Sequence, residues 1–149
     1  MRCFIGIFLP RETQQIIHDM CPNLPNIRWT KSERYHITMK FVANLDQSLV
    51  PSMLEETSMI SSAMPVSCRA TVLDGFPKRG RARVVIVRIE SGGLLESLVD
   101  DSQFQPHITV GYARRRSQTV PDTSLDVAFD LCDVRLIESR DGKYRTISE

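Results

Sequence analysis

Two short segments of this sequence carry the same side chains that can move protons. The tripeptide His-Ile-Thr occupies residues 36–38 and recurs 71 residues further along the chain, at residues 107–109. The chain has three histidines in all, so two of the three fall in matching frames. Near neutral pH an imidazole can either accept or donate a proton, and a threonine hydroxyl can donate a hydrogen bond to an oxyanion. The repeat therefore predicts a site for acid-base chemistry.

Paired histidines suit in-line displacement at phosphorus. One imidazole takes a proton from the nucleophile while the other gives a proton to the departing oxygen. Thr38 and Thr109 would then donate hydrogen bonds to the non-bridging oxygens, whose charge changes during the reaction. The sequence has no G-x-S-x-G nucleophile elbow and no glycine-rich phosphate loop. It also has no compact cluster of Asp, Glu and His that would form a metal cage. We predict that His36 and His107 act on a phosphodiester without a metal or a cofactor.

A single His-x-Thr on a strand has a simpler explanation, because one histidine among apolar residues is most often a hydrogen-bonded structural residue. Repetition of the whole frame favours a shared function over that explanation. His18, the third histidine, lies off the apolar stripe of a predicted helix, and we expect it at the surface.

Each of the two segments alternates in the manner of a half-buried strand. Successive side chains of a strand point to opposite faces of the sheet. On this alternation His36, Thr38 and Lys40 share one face, and Phe41 points away from them. Tyr112 falls on the corresponding back face of the second segment. We therefore expect the two aromatic rings to pack in the core rather than to stack on nucleobases.

The rest of the chain predicts strands joined largely by hairpins, with a few helices. Strands are expected at residues 1–9, 27–29, 68–73, 84–89, 127–132, 134–139 and 144–147, and helices at residues 12–20, 46–64 and 94–99. This is an α+β fold with antiparallel sheet. We expect an N-terminal half with the longer helices and a C-terminal half with a short one, each presenting one His-x-Thr strand to a central cleft.

Composition limits the classes of protein to consider. A chain of 149 residues can form one domain, or two small lobes that share a core; we expect residues 1–149 to form a single two-lobed domain. The formal net charge of +1 favours no partner by itself. Basic residues nevertheless crowd residues 78–83 and 114–116, and each cluster either binds phosphates or is solvated loop charge.

The cysteines and the apolar N-terminus concern redox state and location. The four cysteines are scattered, with no C-x-x-C pair, which argues against a zinc site and a thioredoxin-like site. The apolar run at residues 3–9 is too short to cross a bilayer. We interpret that run as a first strand, not a signal peptide, and hence expect a cytoplasmic protein that does not associate with membranes.

Four stretches of the chain carry a resemblance to a known family. The first is MRCFIGIFLP at residues 1–10, and the second is Arg28-Trp29 followed by YHITMKFV at residues 35–42. The third is FQPHITVG at residues 104–111, and the fourth is LIESR at residues 136–140 followed by Gly142 and Tyr144. Together they resemble the two-histidine phosphoesterase superfamily. Within it, the chain is similar to the bacterial and archaeal RNA 2',3'-cyclic phosphodiesterases, also called 2'-5' RNA ligases.

The resemblance implies two lobes of antiparallel sheet related by a pseudo-two-fold axis. It also implies opening of terminal 2',3'-cyclic phosphates on RNA to a 2'-phosphate, with weak reversible 2'-5' joining of RNA, tRNA halves included. Carried over, His36 and His107 are the acid-base pair, and Thr38 and Thr109 are the phosphate ligands. We favour His36 as the acid and His107 as the base. The implied partner is RNA with a cyclic phosphate end, and we expect a monomer.

The chain departs from the family pattern near the second motif. Tyr112 stands where an arginine is common, which makes Arg114 and Arg115 candidates for phosphate contact or leaves the grip on RNA weaker. The segment between residues 89 and 104 is shorter than usual. Two alternatives therefore stay open: a phosphodiesterase for 2'-5' oligonucleotides or small nucleotide cyclic phosphates, and a non-catalytic module that binds RNA ends.

Overall fold

A computed structural model describes residues 1–148 of the chain and contains nine strands and two α-helices in that range. The strands are β1 Cys3–Phe8, β2 Ile27–Trp29, β3 His36–Val42, β4 Val66–Phe76, β5 Val84–Glu90, β6 His107–Ala113, β7 Ser124–Leu131, β8 Asp133–Arg140 and β9 Lys143–Ile147. The helices are α1 Arg11–Met20 and α2 Val50–Ser62. Within residues 1–148 no helix combines the length and apolar character that crossing a bilayer requires.

All strand pairs are antiparallel, which confirms the predicted α+β class. The strand order is β7-β4-β5-β6-β3-β1-β8-β9, and β2 pairs with β6 outside this path. Two four-stranded lobes meet where β6 adjoins β3, at the single residue pair Ile37 and Ile108. Each lobe thus supplies one His-x-Thr strand to the junction.

The lobes are not the two halves of the chain, which corrects the expected arrangement. The lobe of β1 and β3 is completed by β8 and β9 from the C-terminal end, while β4 to β7 form the other lobe. The repeated unit is smaller than a half. It consists of one strand, a connection and a His-x-Thr strand: β1 to β3 in one lobe, β5 to β6 in the other.

A β-bulge interrupts both His-x-Thr strands one residue after the threonine. On β1, Ile5 and Gly6 oppose Lys40 and Thr38, so Met39 is the extra residue of β3. On β5, Val85 and Ile86 oppose Gly111 and Thr109, so Val110 is the extra residue of β6. A bulge of one residue shifts the alternation of every later side chain in the strand.

The bulges reverse three of the predicted side-chain directions. Phe41 is 47% exposed and Tyr112 is 42% exposed, so the prediction that both rings pack in the core was wrong. Lys40 was predicted to share the face of His36. In the structure Lys40 is paired across the strands with the buried Ile5 and so lies on the face of Ile5. Its Nζ forms an ion pair with Glu56 of α2, 2.8 Å from Oε2.

The two α-helices begin and end close to the predicted positions. Before α2, the Asp46 carboxylate accepts a hydrogen bond from the Ser48 backbone N–H at 2.9 Å, and Pro51 fits the first turn. In α1 only Ile17 of the predicted apolar stripe is buried, because Ile16 and Met20 are about 40% exposed.

The helix predicted at residues 94–99 was wrong. The segment instead makes turns and one 3₁₀ helix, Glu96–Leu98. Gly92 and Gly93 enter it with φ of 65° and 86°, outside the helical region. Leu95 is fully buried while Leu94 is 54% exposed, so the predicted apolar residues do not all share one buried face. So short a segment is marginal as an α-helix without such packing.

Gly111 is required by the close approach of β2. A Cβ at this position would lie 2.5 Å from Cγ2 of Ile27 and 3.0 Å from the Trp29 ring. We expect Gly111→Ala to lower the free energy of unfolding by about 1–3 kcal/mol through overpacking. Gly80→Ala is the matched control, since its Cβ would meet nothing within 4 Å. Urea denaturation of both variants tests this, and an equally stable Gly111→Ala would contradict it.

Candidate active site

The two His-x-Thr strands form the core of the candidate site. Because Ile37 pairs with Ile108 in antiparallel register, His36 lies across from Thr109 and Thr38 lies across from His107. Ile37 and Ile108 point into the core and are fully buried. All four polar side chains are half-buried on the opposite face. The sheet therefore presents two imidazoles and two hydroxyls as one four-cornered group.

A small cavity of about 170 Å³ adjoins this group. It is lined by His36, Thr38 and Thr109. The remaining wall residues are basic, aromatic or hydroxyl-bearing, namely Arg2, Phe4, Thr30, Arg34, Phe41, Tyr112, Ser139 and Tyr144. Two guanidinium groups beside two threonine hydroxyls suit an anion, because arginine binds phosphate oxygens in a fixed geometry.

His36 is held by its backbone and by aromatic rings. Its Nδ1 lies 2.7 Å from the Arg34 carbonyl oxygen, which can only accept, so Nδ1 carries a proton. The neutral ring then accepts at Nε2 from the Thr38 hydroxyl, at 3.1 Å. Phe4 stacks on the imidazole at a centroid distance of 4.6 Å, and Tyr144 meets its edge at 5.9 Å. The ring is fixed, with Nε2 on the side of Thr38.

His107 is oriented in the same way within a different environment. Its Nδ1 lies 2.7 Å from the Gln105 carbonyl oxygen, which again leaves Nε2 as the free nitrogen. Phe76 meets the ring edge-on at 5.1 Å. Arg88 occupies the β5 position opposite His107, and its guanidinium is anchored by Asp74, with Nε 3.0 Å from Oδ2. An arginine charge thus neighbours each imidazole, Arg34 at His36 and Arg88 at His107, whereas the aromatic contact is stacked at His36 and edge-on at His107.

A family model described as LigT like Phosphoesterase matches residues 7–86, which is more than half of the chain. The chain belongs to this family. It is therefore a phosphoesterase. The match includes the first His-x-Thr strand but ends before the second, so the correspondence of His107 to His36 rests on the repeated unit in the fold.

This LigT-like phosphoesterase is similar to individual proteins in sequence and to solved structures in fold. Two proteins named RNA 2',3'-cyclic phosphodiesterase are each 22% identical: one from Archaeoglobus fulgidus, aligned over 82% of this chain and 78% of its own, and one from Methanocaldococcus jannaschii, over 74% and 70%. A Thermus thermophilus crystal structure superposes with a TM-score of 0.83 at 19% identity, covering 99% of this chain and 96% of that one. E. coli LigT complexed with 3'-AMP gives a TM-score of 0.66 at 21% identity, with 97% and 92% covered.

Arg114 and Arg115, predicted as substrate-binding residues, lie away from the four-cornered group. Both are exposed and follow the last residue of β6. Arg114 is five residues beyond Thr109, or about 17 Å along an extended strand. Neither is among the residues lining the cavity. A contact with the scissile phosphate would have to come from closer arginines of this phosphoesterase.

Those closer arginines are Arg2 and Arg34, and sequence reasoning missed them. Arg2 lies over the Phe41 ring at 4.6 Å, and Arg34 lies over the Tyr144 ring at 4.2 Å. Arg34 stands two residues before His36, and that proximity was an available signal. Arg2 and Tyr144 come from opposite ends of the chain and meet only because β1, β8 and β9 are neighbours, which no spacing reveals.

The environments of the two histidines predict the pH dependence of the enzyme. Burial lowers the pKa of His36 from its ordinary 6.5, and the charges of His107 and Arg34 lower it further. Burial and the charge of Arg88 likewise lower the pKa of His107 from 6.5. A mechanism with one base and one acid gives a bell-shaped plot of kcat/KM against pH, and its two limbs report the two pKa values of the free enzyme. We therefore expect kcat/KM to peak below pH 6.5.

The measurement is kcat/KM from about pH 4.5 to 9 in buffers of constant ionic strength. Above its maximum the bell should fall about tenfold per pH unit. His18→Ala is the control, because His18 is exposed on α1 and should leave the profile in place. A peak above pH 7 would contradict the expectation.

Proposed function

We propose that this phosphoesterase opens terminal 2',3'-cyclic phosphates of RNA to a 2'-phosphate, without a metal, by paired-histidine acid-base catalysis. The observation that carries the proposal is the four-cornered group, in which each imidazole faces a threonine across the β3–β6 junction. Two relatives named RNA 2',3'-cyclic phosphodiesterase support the choice of substrate. A phosphodiester also fits a cavity that holds two arginines beside the threonines.

His36 acts as the acid in this proposal, because its stacked aromatic neighbour offsets part of the cost that burial and nearby positive charge impose on the charged ring. The stacked Phe4 face can stabilise an imidazolium through a cation–π interaction. Protonation also turns the contact with Thr38 around: Nε2–H donates, and the Thr38 hydroxyl becomes free to donate to phosphate. Protonation of His36 would thus also free the Thr38 hydroxyl to bind the phosphate.

His107 acts as the base, because burial and the neighbouring Arg88 both lower its pKa and so disfavour its protonated form. Its Nε2 takes a proton from water, and the water oxygen forms a bond to phosphorus. The bond from phosphorus to O3' breaks, and O3' takes the proton of His36. The product carries a 2'-phosphate and a free 3'-hydroxyl. If a 5'-hydroxyl of RNA replaces water, the same proton transfers give weak, reversible 2'-5' ligation.

Two kinds of donor would hold the phosphate during this step. Thr38 and Thr109 donate to the non-bridging oxygens, and Arg2 and Arg34 supply positive charge at the same cavity. The Arg34 guanidinium also donates to the Gly142 carbonyl oxygen of the β8–β9 turn, which helps to orient it. Preorganised donors of this kind stabilise the charge that develops in the transition state.

The direct test is incubation of the protein with a short RNA ending in a 2',3'-cyclic phosphate, with a chelator present, followed by identification of the product phosphate. The proposal expects a 2'-phosphate at a rate that the chelator leaves unchanged. A 3'-phosphate product would contradict the assigned direction of opening. Activity lost to chelator and restored by a divalent metal would overturn the metal-free mechanism. Absence of turnover would favour a module that binds RNA ends.

A further inference from the structure

The two basic clusters of the sequence converge at one end of the molecule. Ala82 and Gln118 form a bridge that joins the loops after β4 and β6, and the Ala113 N–H donates to the Arg83 carbonyl oxygen at 2.9 Å. This brings together the exposed side chains of Lys78, Arg79, Arg81, Arg83, Arg114, Arg115 and Arg116, hereafter the basic end. One of these residues is already paired: Nη1 of Arg79 lies 3.2 Å from Oδ1 of Asp122.

Tyr112 lies between the candidate active site and the basic end. It follows Thr109 by three residues on β6 and precedes Arg114 by two. The bulge at Val110 turns its ring to the face of Thr109, where it is 42% exposed and lines the cavity. The Arg28 guanidinium lies 5.6 Å from the ring centroid. An exposed aromatic ring backed by arginine is a typical stacking platform for a nucleobase.

The opposite side of the site has the reverse electrostatic character. A groove of about 620 Å³ runs from Thr38 and Phe41 to the 98–104 segment. Its charged wall residues are Glu56, Asp100, Asp101 and Lys40, with Lys40 already paired to Glu56. Three carboxylates against one ammonium would repel the phosphates of an RNA chain. The charges therefore make the basic end favourable for RNA phosphates and the groove on the other side unfavourable.

We infer that the RNA chain leaves the phosphate site over Tyr112, which stacks one of its bases, and that its phosphates continue onto the basic end. The inference rests on the proposed function for the identity of the substrate. It assigns Arg114 and Arg115 to the body of the RNA rather than to the scissile phosphate. It also makes Tyr112 a determinant of chain-length preference.

The test compares kcat/KM for a 2',3'-cyclic mononucleotide with kcat/KM for RNAs of increasing length that carry the same end. The unaltered protein should prefer the longer RNAs. Tyr112→Ala should lower the ratio of RNA to mononucleotide kcat/KM by about five- to hundredfold, as expected for loss of one stacked base. Tyr112→Phe keeps the ring and should restore most of that ratio.

The basic end is tested by Arg114→Ala/Arg115→Ala against Arg11→Ala/Arg69→Ala, which removes the same charge from α1 and β4. The first pair should lower the ratio about tenfold or more. It should also make the slope of log KM for RNA against log salt shallower by about 1.4, since each of two phosphates neutralised on a single strand contributes about 0.7. The second pair should change neither quantity beyond its effect on net charge.

Binding of RNA that already ends in a 2'-phosphate separates this inference from the proposed function. If no cyclic phosphate is opened but this RNA binds more weakly to Tyr112→Ala and to Arg114→Ala/Arg115→Ala, the proposed reaction fails and the path stands. If cyclic phosphates are opened and both variants keep the full preference for RNA, the path is overturned and the reaction stands.

Discussion

Replacement of either cleft histidine by alanine is expected to lower kcat/KM for a cyclic phosphate by a factor of about 10² to 10⁴, the usual effect of losing one proton-transfer group. His36→Ala removes the proton for O3', and His107→Ala removes the acceptor for the proton of water. The double variant should lose little more than the more damaged single variant, because the two transfers serve one step. His18→Ala, which alters the exposed third histidine, should stay within about twofold.

A substrate whose leaving group needs no proton separates the two roles. With a nucleoside 4-nitrophenyl phosphodiester, the phenolate departs unprotonated, so the defect of His36→Ala should shrink by at least about tenfold. His107→Ala should keep its defect, because water still requires a base. Rescue of His107→Ala instead would reverse the assignment, and equal, full activity of both variants on cyclic RNA would refute the mechanism.

The sequence predicted the fold class and the meeting of the two motifs at the candidate site because those features repeat within it. The frame His-Ile-Thr needs only local alternation to place an apolar residue behind two polar ones, and residues 36–38 and 107–109 precede the bulges. The register Ile37 to Ile108 then follows from burying the two central isoleucines at one junction. Local pattern and final structure agree wherever the strand is regular.

Alternation failed beyond Thr38 and Thr109, for a physical reason. A bulge depends on the partner strand as well as on its own sequence, and the same offset occurs opposite Gly6 in β1 and Ile86 in β5. Nothing in residues 39–42 alone reveals an extra residue. Alternation alone therefore predicts core positions for Phe41 and Tyr112, whereas the structure turns both toward the cavity.

Long-range strand pairing explains the remaining differences. The C-terminal strands β8 and β9 complete the lobe that begins at β1, so Arg2 and Tyr144 reach the same cavity from the two ends of the chain. Sequence separation gives no sign of that neighbourhood. The prediction from the arginine run placed phosphate contacts at Arg114 and Arg115, while the arginines beside the threonines are Arg2 and Arg34.

Removal of either threonine hydroxyl at the candidate site is expected to cause the second large loss of rate. Thr109→Val keeps the shape of the side chain but removes its hydroxyl donor, and we expect kcat to fall about 10²-fold, as for loss of one donor to a developing oxyanion. Thr38→Val should cost at least as much. Thr38 also contacts His36 at 3.1 Å, and a hydroxyl binds the charged imidazolium more strongly than the neutral ring.

Loss of the Thr38 hydroxyl should therefore lower the pKa of His36 and move the alkaline limb of the pH profile to lower pH. Thr109→Val should lower the rate without moving that limb, because His36 keeps its partner. Thr146→Val, at an exposed position of β9, is the matched control and should change neither quantity. The decisive measurement is the full pH profile of kcat/KM for all three variants. If Thr38→Val and Thr109→Val lower the rate equally and neither shifts a limb, Thr38 serves phosphate alone. In that case the coupling of His36 protonation to the release of a phosphate donor would be wrong.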